Sequence, residues 1–220
     1  KMLFSLINST RVAFSRYAFN TVFITIATTA IHVLIASMAA YPLSKGRFLG
    51  KNFLNQIVLL ALMFVPAIAD VINYQTIVSL GWLDTYMAAI APNVATTLGL
   101  FLITNYMSTI PDTLLEAARI DGLSEVRIFF QMFIPTMKST YAAAAVITFM
   151  NAWNSYLWPK VIMTDNKAMT MPMLIANLIT GYVTDYGMLM CGVLFCSIPT
   201  MVVFFVLQKQ FAEGITGAVK

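Results

Sequence analysis

An all-α integral membrane protein, a polytopic helical bundle with five spans in this chain, is the fold class that three observations predict. First, of 220 residues 60% are hydrophobic and 10% charged, with a mean hydropathy of +0.81. Soluble domains carry roughly 45–50% apolar and about 25% charged residues, so this composition excludes an ordinary soluble globule. Second, apolar stretches recur at the length of about 20 residues that a helix needs to cross the hydrocarbon core. Third, the charged residues gather in the links between those stretches. Lipid offers the backbone no hydrogen-bonding partner, so each stretch must satisfy its own amides as a helix.

The five expected spans are residues 20–43, 54–78, 86–110, 138–158 and 186–207. Basic residues orient them. Lys45, Arg47 and Lys51 lie in the first link, Arg119, Arg127 and Lys138 in the third, and Lys209 and Lys220 in the C-terminal tail, which places these segments on the cytoplasmic side. Lys160 and Lys167 sit in an opposite loop, and Lys1, Arg11 and Arg16 in an N-terminal segment on that same side, which weakens the asymmetry without reversing it. An odd number of spans puts the N-terminus outside, so a sixth, N-terminal span is expected in the parent protein. No secretory signal is read, because the first apolar stretch starts too far in and lacks a small-residue cleavage context.

The formal charge of +4 does not indicate nucleic acid, because the cations are dispersed at helix ends. Cys191 and Cys196, without a CxxC pair or a histidine cluster, read as small apolar fillers; no metal site and no disulfide is expected. The whole of 1–220 reads as one transmembrane domain, with a polar loop at 111–135 inside it.

That loop reads as two short helices and a hinge. Ser108 or Thr109 is placed to cap the first, Pro111 suits its first turn, and Asp112 complements its dipole. Gly122 permits the left-handed turn that ends it. Ser124 is placed to cap the second helix, Glu125 favours its start, and Val126, Phe129, Phe130 and Phe133 fall on one helical stripe opposite Arg127 and Gln131. Pro135 is expected to separate this helix from the fourth span. Periodicity leaves two readings open: an elbow that docks a cytoplasmic partner, with Arg119, Asp121 and Glu125 outward, or an amphipathic helix resting in the headgroups.

These residues resemble the EAA loop of binding-protein-dependent ABC importer permeases. Glu116-Ala117-Ala118 is followed by Gly122 at the family's spacing, and Met132-Phe133-Ile134-Pro135 stands where the family has I-x-L-P. Three further passages resemble the sugar-transporting, maltose-type branch: Ala39-Ala40-Tyr41 leading into Lys45-Gly46-Arg47-Phe48, the run Trp153-Asn154-Ser155-Tyr156-Leu157-Trp158-Pro159, and the C-terminal residues Gly214 to Lys220. The resemblance implies a type I importer permease fold in a bacterial cytoplasmic membrane. It also implies a second permease subunit, identical or not, two cytoplasmic ABC ATPase subunits and an extracytoplasmic solute-binding protein. ATP and Mg would belong to the ATPase subunits, and this chain would be no enzyme and bind no cofactor. Carried over by position, Glu116, Ala117, Ala118 and Gly122 form the ATPase-docking element, with Arg119, Asp121 and Leu123 beside them. The loop at 159–185 resembles the element that reaches toward the binding protein.

Polar residues within spans are costly and therefore mark pathways or interhelical hydrogen bonds. Asn151, Trp153, Asn154 and Tyr156 are the candidate substrate-facing cluster, since amides bond hydroxyls and aromatic faces stack on sugar rings. An aromatic belt at the outer interface accounts for the same residues, Trp158 included. His32 and Asn105 read as interhelical glue, and Asp70, near the outer end of the second span, as a gate or a hydrated terminus. Two other classes compete. An intramembrane enzyme would need a nucleophile or metal constellation that the sole histidine, without HExxH or GxSxG, does not supply. An ion-coupled transporter would favour paired acids near the midplane, where Asp70 stands alone. A permease of the same family for a non-sugar solute is the remaining alternative.

Overall fold

The computed structural model describes residues 14–64, 66–179 and 186–218. Lys1, Arg11, Lys220 and residues 180–185 of the outer loop lie outside the described residues, as do the side chains of Lys209 and of 214–218. The elements of the described chain are all helical. Its elements are α1 (Phe14–Lys45), α2 (Lys51–Leu62), α3 (Pro66–Ser79), α4 (Tyr86–Ile90), α5 (Thr97–Thr109), α6 (Asp112–Ile120), α7 (Glu125–Ile128), α8 (Ile134–Thr136), α9 (Lys138–Trp153), α10 (Leu157–Ile162), α11 (Met171–Ile179) and α12 (Tyr186–Ala218). A short 3₁₀ turn, Ala91–Asn93, follows α4, and a π turn, Phe129–Phe133, joins α7 to α8.

Helix length differs from the expectation of five uninterrupted spans. Among the described residues, two helices are long and apolar enough to cross a membrane, Phe14–Lys45 and Tyr186–Val206. The pair Tyr86–Asn93 and Thr97–Thr109, bent by 40°, makes a third if it is one broken span. The expected second span divides between α2 and α3. Proline has no amide to donate and its fixed φ suits the first turn of a helix, so Pro66 opens α3. The expected fourth span stops at Trp153, and Tyr156 to Trp158 belong to the start of a separate short helix.

The chain forms two compact units. One comprises residues 1–29, 65–94 and 149–205. Its core joins Ile24, Ile77, Ala88, Ala89, Ile90, Trp158, Ile162, Met163 and Met173, with a smaller cluster of Tyr17, Met171 and Leu174. Polar side chains pin its loop. The Asn20 amide donates to the carbonyls of Lys167 and Met169, both at 2.9 Å, and accepts from the Tyr86 hydroxyl at 2.7 Å. Asp84 accepts from the amide of Asp165 at 2.8 Å, from the hydroxyl of Thr164 at 2.8 Å and from its amide. Burial pushes the Asp84 carboxyl up, but these three donors outweigh it and leave the group below its ordinary value.

The other unit comprises residues 30–64, 95–148 and 206–220. Its core is Ala36 and Ala40 of α1, Ile103 and Met107 of α5, Leu115 and Ala118 of α6, then Ile128, Phe129, Phe133, Met137 and Ala144. Small residues let α1 approach α5 closely. A Cβ on Gly99 would lie 2.0 Å from His32 Nε2, and the buried imidazole is 3.2 Å from the Thr96 hydroxyl. His32 thus ties two helices together, whereas Asn105 is exposed.

Candidate functional site

The bent element at 112–128 is the candidate site, and its geometry begins with one glycine. Gly122 has φ +78°. Its amide donates to the Arg119 carbonyl and the next amide, of Leu123, donates to the Ala118 carbonyl, each at 3.1 Å, which closes α6 with a Schellman turn. Leu123 packs against the core cluster that contains Ala118, as the apolar residue after such a turn commonly does. No side chain caps the start. Pro111 itself occupies the N-cap position with extended backbone, so the expected cap from Ser108 or Thr109 is not made; Ser108 donates to Thr104 and Thr109 to Tyr106 instead. Ser124 stands at the N-cap of α7 without a side-chain bond.

Asp112 is instead neutralised by Lys45, at 2.7 Å, which also donates to the Ile110 carbonyl at the end of α5. The bond and the charge of Lys45 hold the Asp112 carboxyl below its ordinary value. Further along, Arg47 approaches Glu116 at 3.3 Å. Glu125 accepts from Arg119 at 2.7 Å and from the Tyr41 hydroxyl at 2.6 Å, and these bonds, the arginine's first, lower its pKa. The Tyr41 ring meets Phe129 and Phe133 edge-on, at 5.6 and 5.2 Å. Three residues at the end of α1 and just beyond it therefore hold the bent element by its charged groups.

The expected stripe of the second short helix is corrected. Phe129 and Phe133 are buried, but Val126 and Phe130 are exposed, and Ile128 takes their place in the core. The π turn is the cause: i→i+5 bonding adds a residue to the turn and brings Ile128 onto the face of Phe133, five positions on. Nor does Pro135 end the helix. It lies within α8, and the break comes at Met137.

Of the sequence-predicted docking residues, Glu116, Ala117, Arg119, Asp121 and Gly122 are exposed, Leu123 is half-buried and Ala118 is buried at 7% exposure. Ala118 and Leu115 face the unit's own core, so the open face of α6 is formed by Leu114, Ala117 and Ile120, the last 87% exposed. An apolar stripe ringed by Glu116, Arg119 and Asp121 is thus presented by a short, firmly held helix.

The candidate pathway residues are not gathered in one place. Trp153 is buried, its indole donating to the Cys196 carbonyl at 3.0 Å and stacking on Phe149. Asn151 is exposed, and Asn154, also exposed, donates its amide to the Met150 carbonyl at 2.8 Å. Tyr156 accepts from Lys160 at 2.7 Å. Trp158 is a core residue whose indole donates to the Ala88 carbonyl at 3.0 Å. Asp70 lines a groove of 370 Å³ with Val71, Tyr74, Gln75, Leu157, Trp158 and Val161.

Comparison with known proteins places the whole chain in a family. Residues 32–217 match the family described as the binding-protein-dependent transport system inner membrane component. The chain belongs to this family. It is 35% identical to the lactose transport system permease protein of Rhizobium radiobacter over 201 residues, covering 91% of this chain and 74% of the relative. It is equally 35% identical to the arabinooligosaccharides transport system permease protein of Halalkalibacterium halodurans, over 91% of this chain and 72% of that one. A solved bacterial ABC transporter involved in import of the acidic polysaccharide alginate has a chain of the same fold, with a TM-score of 0.81 at 22% identity, covering 96% of this chain and 79% of that chain. As a binding-protein-dependent permease, the chain is a multi-pass membrane transport subunit, and ATP hydrolysis belongs to partner subunits.

In the sequence Lys45 and Arg47 serve only to orient the chain, and nothing there joins them or Tyr41 to the loop. Tyr41 and Lys45 are four apart on a helix and so share a face, which is the signal that would have found them.

Proposed function

We propose that this subunit imports a carbohydrate, an oligosaccharide, across a bacterial cytoplasmic membrane. Five spans of this chain, two of them broken at Met63–Pro66 and at residues 94–96, and a sixth supplied upstream, form half of the pathway, and a second permease subunit forms the rest. Two ABC ATPase subunits, which hold the ATP and Mg, dock on the cytoplasmic face, and an extracytoplasmic binding protein delivers the sugar. The observation that carries the reading is the bent element. Leu114, Ala117 and Ile120 give it a small apolar face, and Glu116, Arg119 and Asp121 give that face a charged rim that sets orientation. Gly122 and Leu123 turn the chain back, and Ala118 supports the helix from behind. Closure of the ATPase pair moves this element and, through it, the spans. Asn151 and Asn154, both exposed, are the pathway contacts, while Trp153 holds the end of α9 against Cys196.

The sugar assignment is supported by the lactose and arabinooligosaccharide relatives. The test is co-purification followed by uptake. ATPase subunits are expected to stay with the chain in detergent and to be lost from an Ile120→Asp variant, which places a charge in the docking face. Proteoliposomes holding the assembled complex and its binding protein should take up a labelled oligosaccharide only while ATP is hydrolysed. Uptake that continues without hydrolysis would overturn the reading.

A further inference from the structure

Lys45 joins three elements at one atom. It is the last residue of α1, its ammonium donates to the Ile110 carbonyl that ends α5, and it pairs at 2.7 Å with Asp112, the first residue of α6. Its side chain is 4% exposed although that of Asp112 is 66% exposed. An ammonium is removed from water only when its donors are engaged, and here both acceptors belong to the approach to the docking helix. The position suits the charge twice over: a cation is favoured at the carboxyl end of α5, and a carboxylate at the amino end of α6. Around this point the link is reinforced. Ser108 donates to Ser44 at 3.3 Å, Arg47 reaches Glu116, and Tyr41 reaches Glu125. Surface pairs such as Arg47 with Glu116 contribute little by themselves, which leaves the buried ammonium as the strong contact of the set.

We propose that Lys45 is the positioning residue that couples the docking helix to α1, so that α1 and α6 move as one rigid lever when the ATPase subunits close. This rests on the docking function assigned above to α6. Without Lys45 the helix still presents Leu114, Ala117 and Ile120, but its displacement is no longer handed to α1. The chain then binds the motor and transports poorly. Lys45 touches neither nucleotide nor sugar; it acts through Ile110 and Asp112.

The experiment uses the assembled transporter with its binding protein in proteoliposomes and measures three quantities: ATPase subunits retained, ATP hydrolysed and sugar taken up. In Lys45→Met, which keeps the apolar stem and removes the charge, ATPase retention is expected to be unchanged while uptake per ATP falls about tenfold. Lys45→Arg should restore most of it. A merely structural role would lower all three quantities together and leave their ratio alone, and that result would overturn the proposal. A second variant guards against misfolding. Ser44→Cys with Ser108→Cys, oxidised to a disulfide, locks α1 to the end of α5, and a rigid lever predicts uptake within about twofold of the reduced protein. Loss of uptake on oxidation, regained on reduction, would show that the two must move apart and would end the proposal. Failure of the docking assignment looks different: Ile120→Asp would then retain the ATPase, whatever Lys45 variants do.

Discussion

At Gly122, geometry separates torsion from space. A Cβ there would meet nothing within 4 Å, so any effect of substitution comes from the backbone, held at φ +78°. Left-handed backbone costs an L-residue about 1–2 kcal/mol, more for a β-branched side chain and less for asparagine. Gly122→Asn should therefore keep coupled transport and Gly122→Val should lose it, with both proteins inserted in the membrane at equal amounts. Uptake per ATP hydrolysed in the two variants checks this, and equal values would refute the hinge. Glu125 makes a second prediction. Its carboxyl is held below its ordinary value by Arg119 and then Tyr41, so the stabilisation is fully present above the unfolded pKa and is lost as pH falls through the lower, folded one. Amide exchange across residues 112–128 should rise as the medium is acidified below the ordinary carboxylate range. In Glu125→Gln, which has no charge to lose, the arginine pair is already gone, and exchange should be raised at neutral pH with less further dependence on acid.

At the scale of elements, α5 packs tightly on α1 where Gly99 meets His32. Forcing a side chain into a filled site costs about 1–3 kcal/mol. Gly99→Ala is expected to lower the thermal midpoint in detergent, and adding His32→Ala to recover part of the loss, because the second change vacates the space the first requires. Independent, additive losses would contradict the packing. The same scale shows why the loop was legible and its faces were not. The spacing from Glu116 to Gly122 encodes a helix and its stop, since a left-handed residue must follow the last turn. Which side of the next segment is buried depended on a π turn at Phe129–Phe133, and helical periodicity assumes 3.6 residues throughout. The burial of Ala118 was not legible for a related reason: a small residue suits a partner's cleft and the chain's own core equally well.

At the scale of the whole molecule, transport is a property of the assembly. Replacing the catalytic ability of the ATPase partners, for instance by supplying a non-hydrolysable nucleotide, should abolish net uptake while leaving the permease bound to them. Accumulation against a gradient under those conditions would favour an ion-coupled carrier instead. From composition and hydropathy alone the chain was legible as a helical membrane protein, because lipid admits so few backbone solutions. The spacing of Glu116, Ala117, Ala118 and Gly122 likewise carried the family, since a helix and its left-handed stop are local geometry that nearby sequence encodes. Only tertiary structure decided that the expected second and third spans break, that Trp153 and Trp158 face the interior, and that Lys45, Arg47 and Tyr41 grip the bent element. Those contacts join residues some 65 to 84 positions apart. Local propensity does not record such pairings; they exist because packing brings distant helix ends together and a cation taken out of water must find its acceptors there.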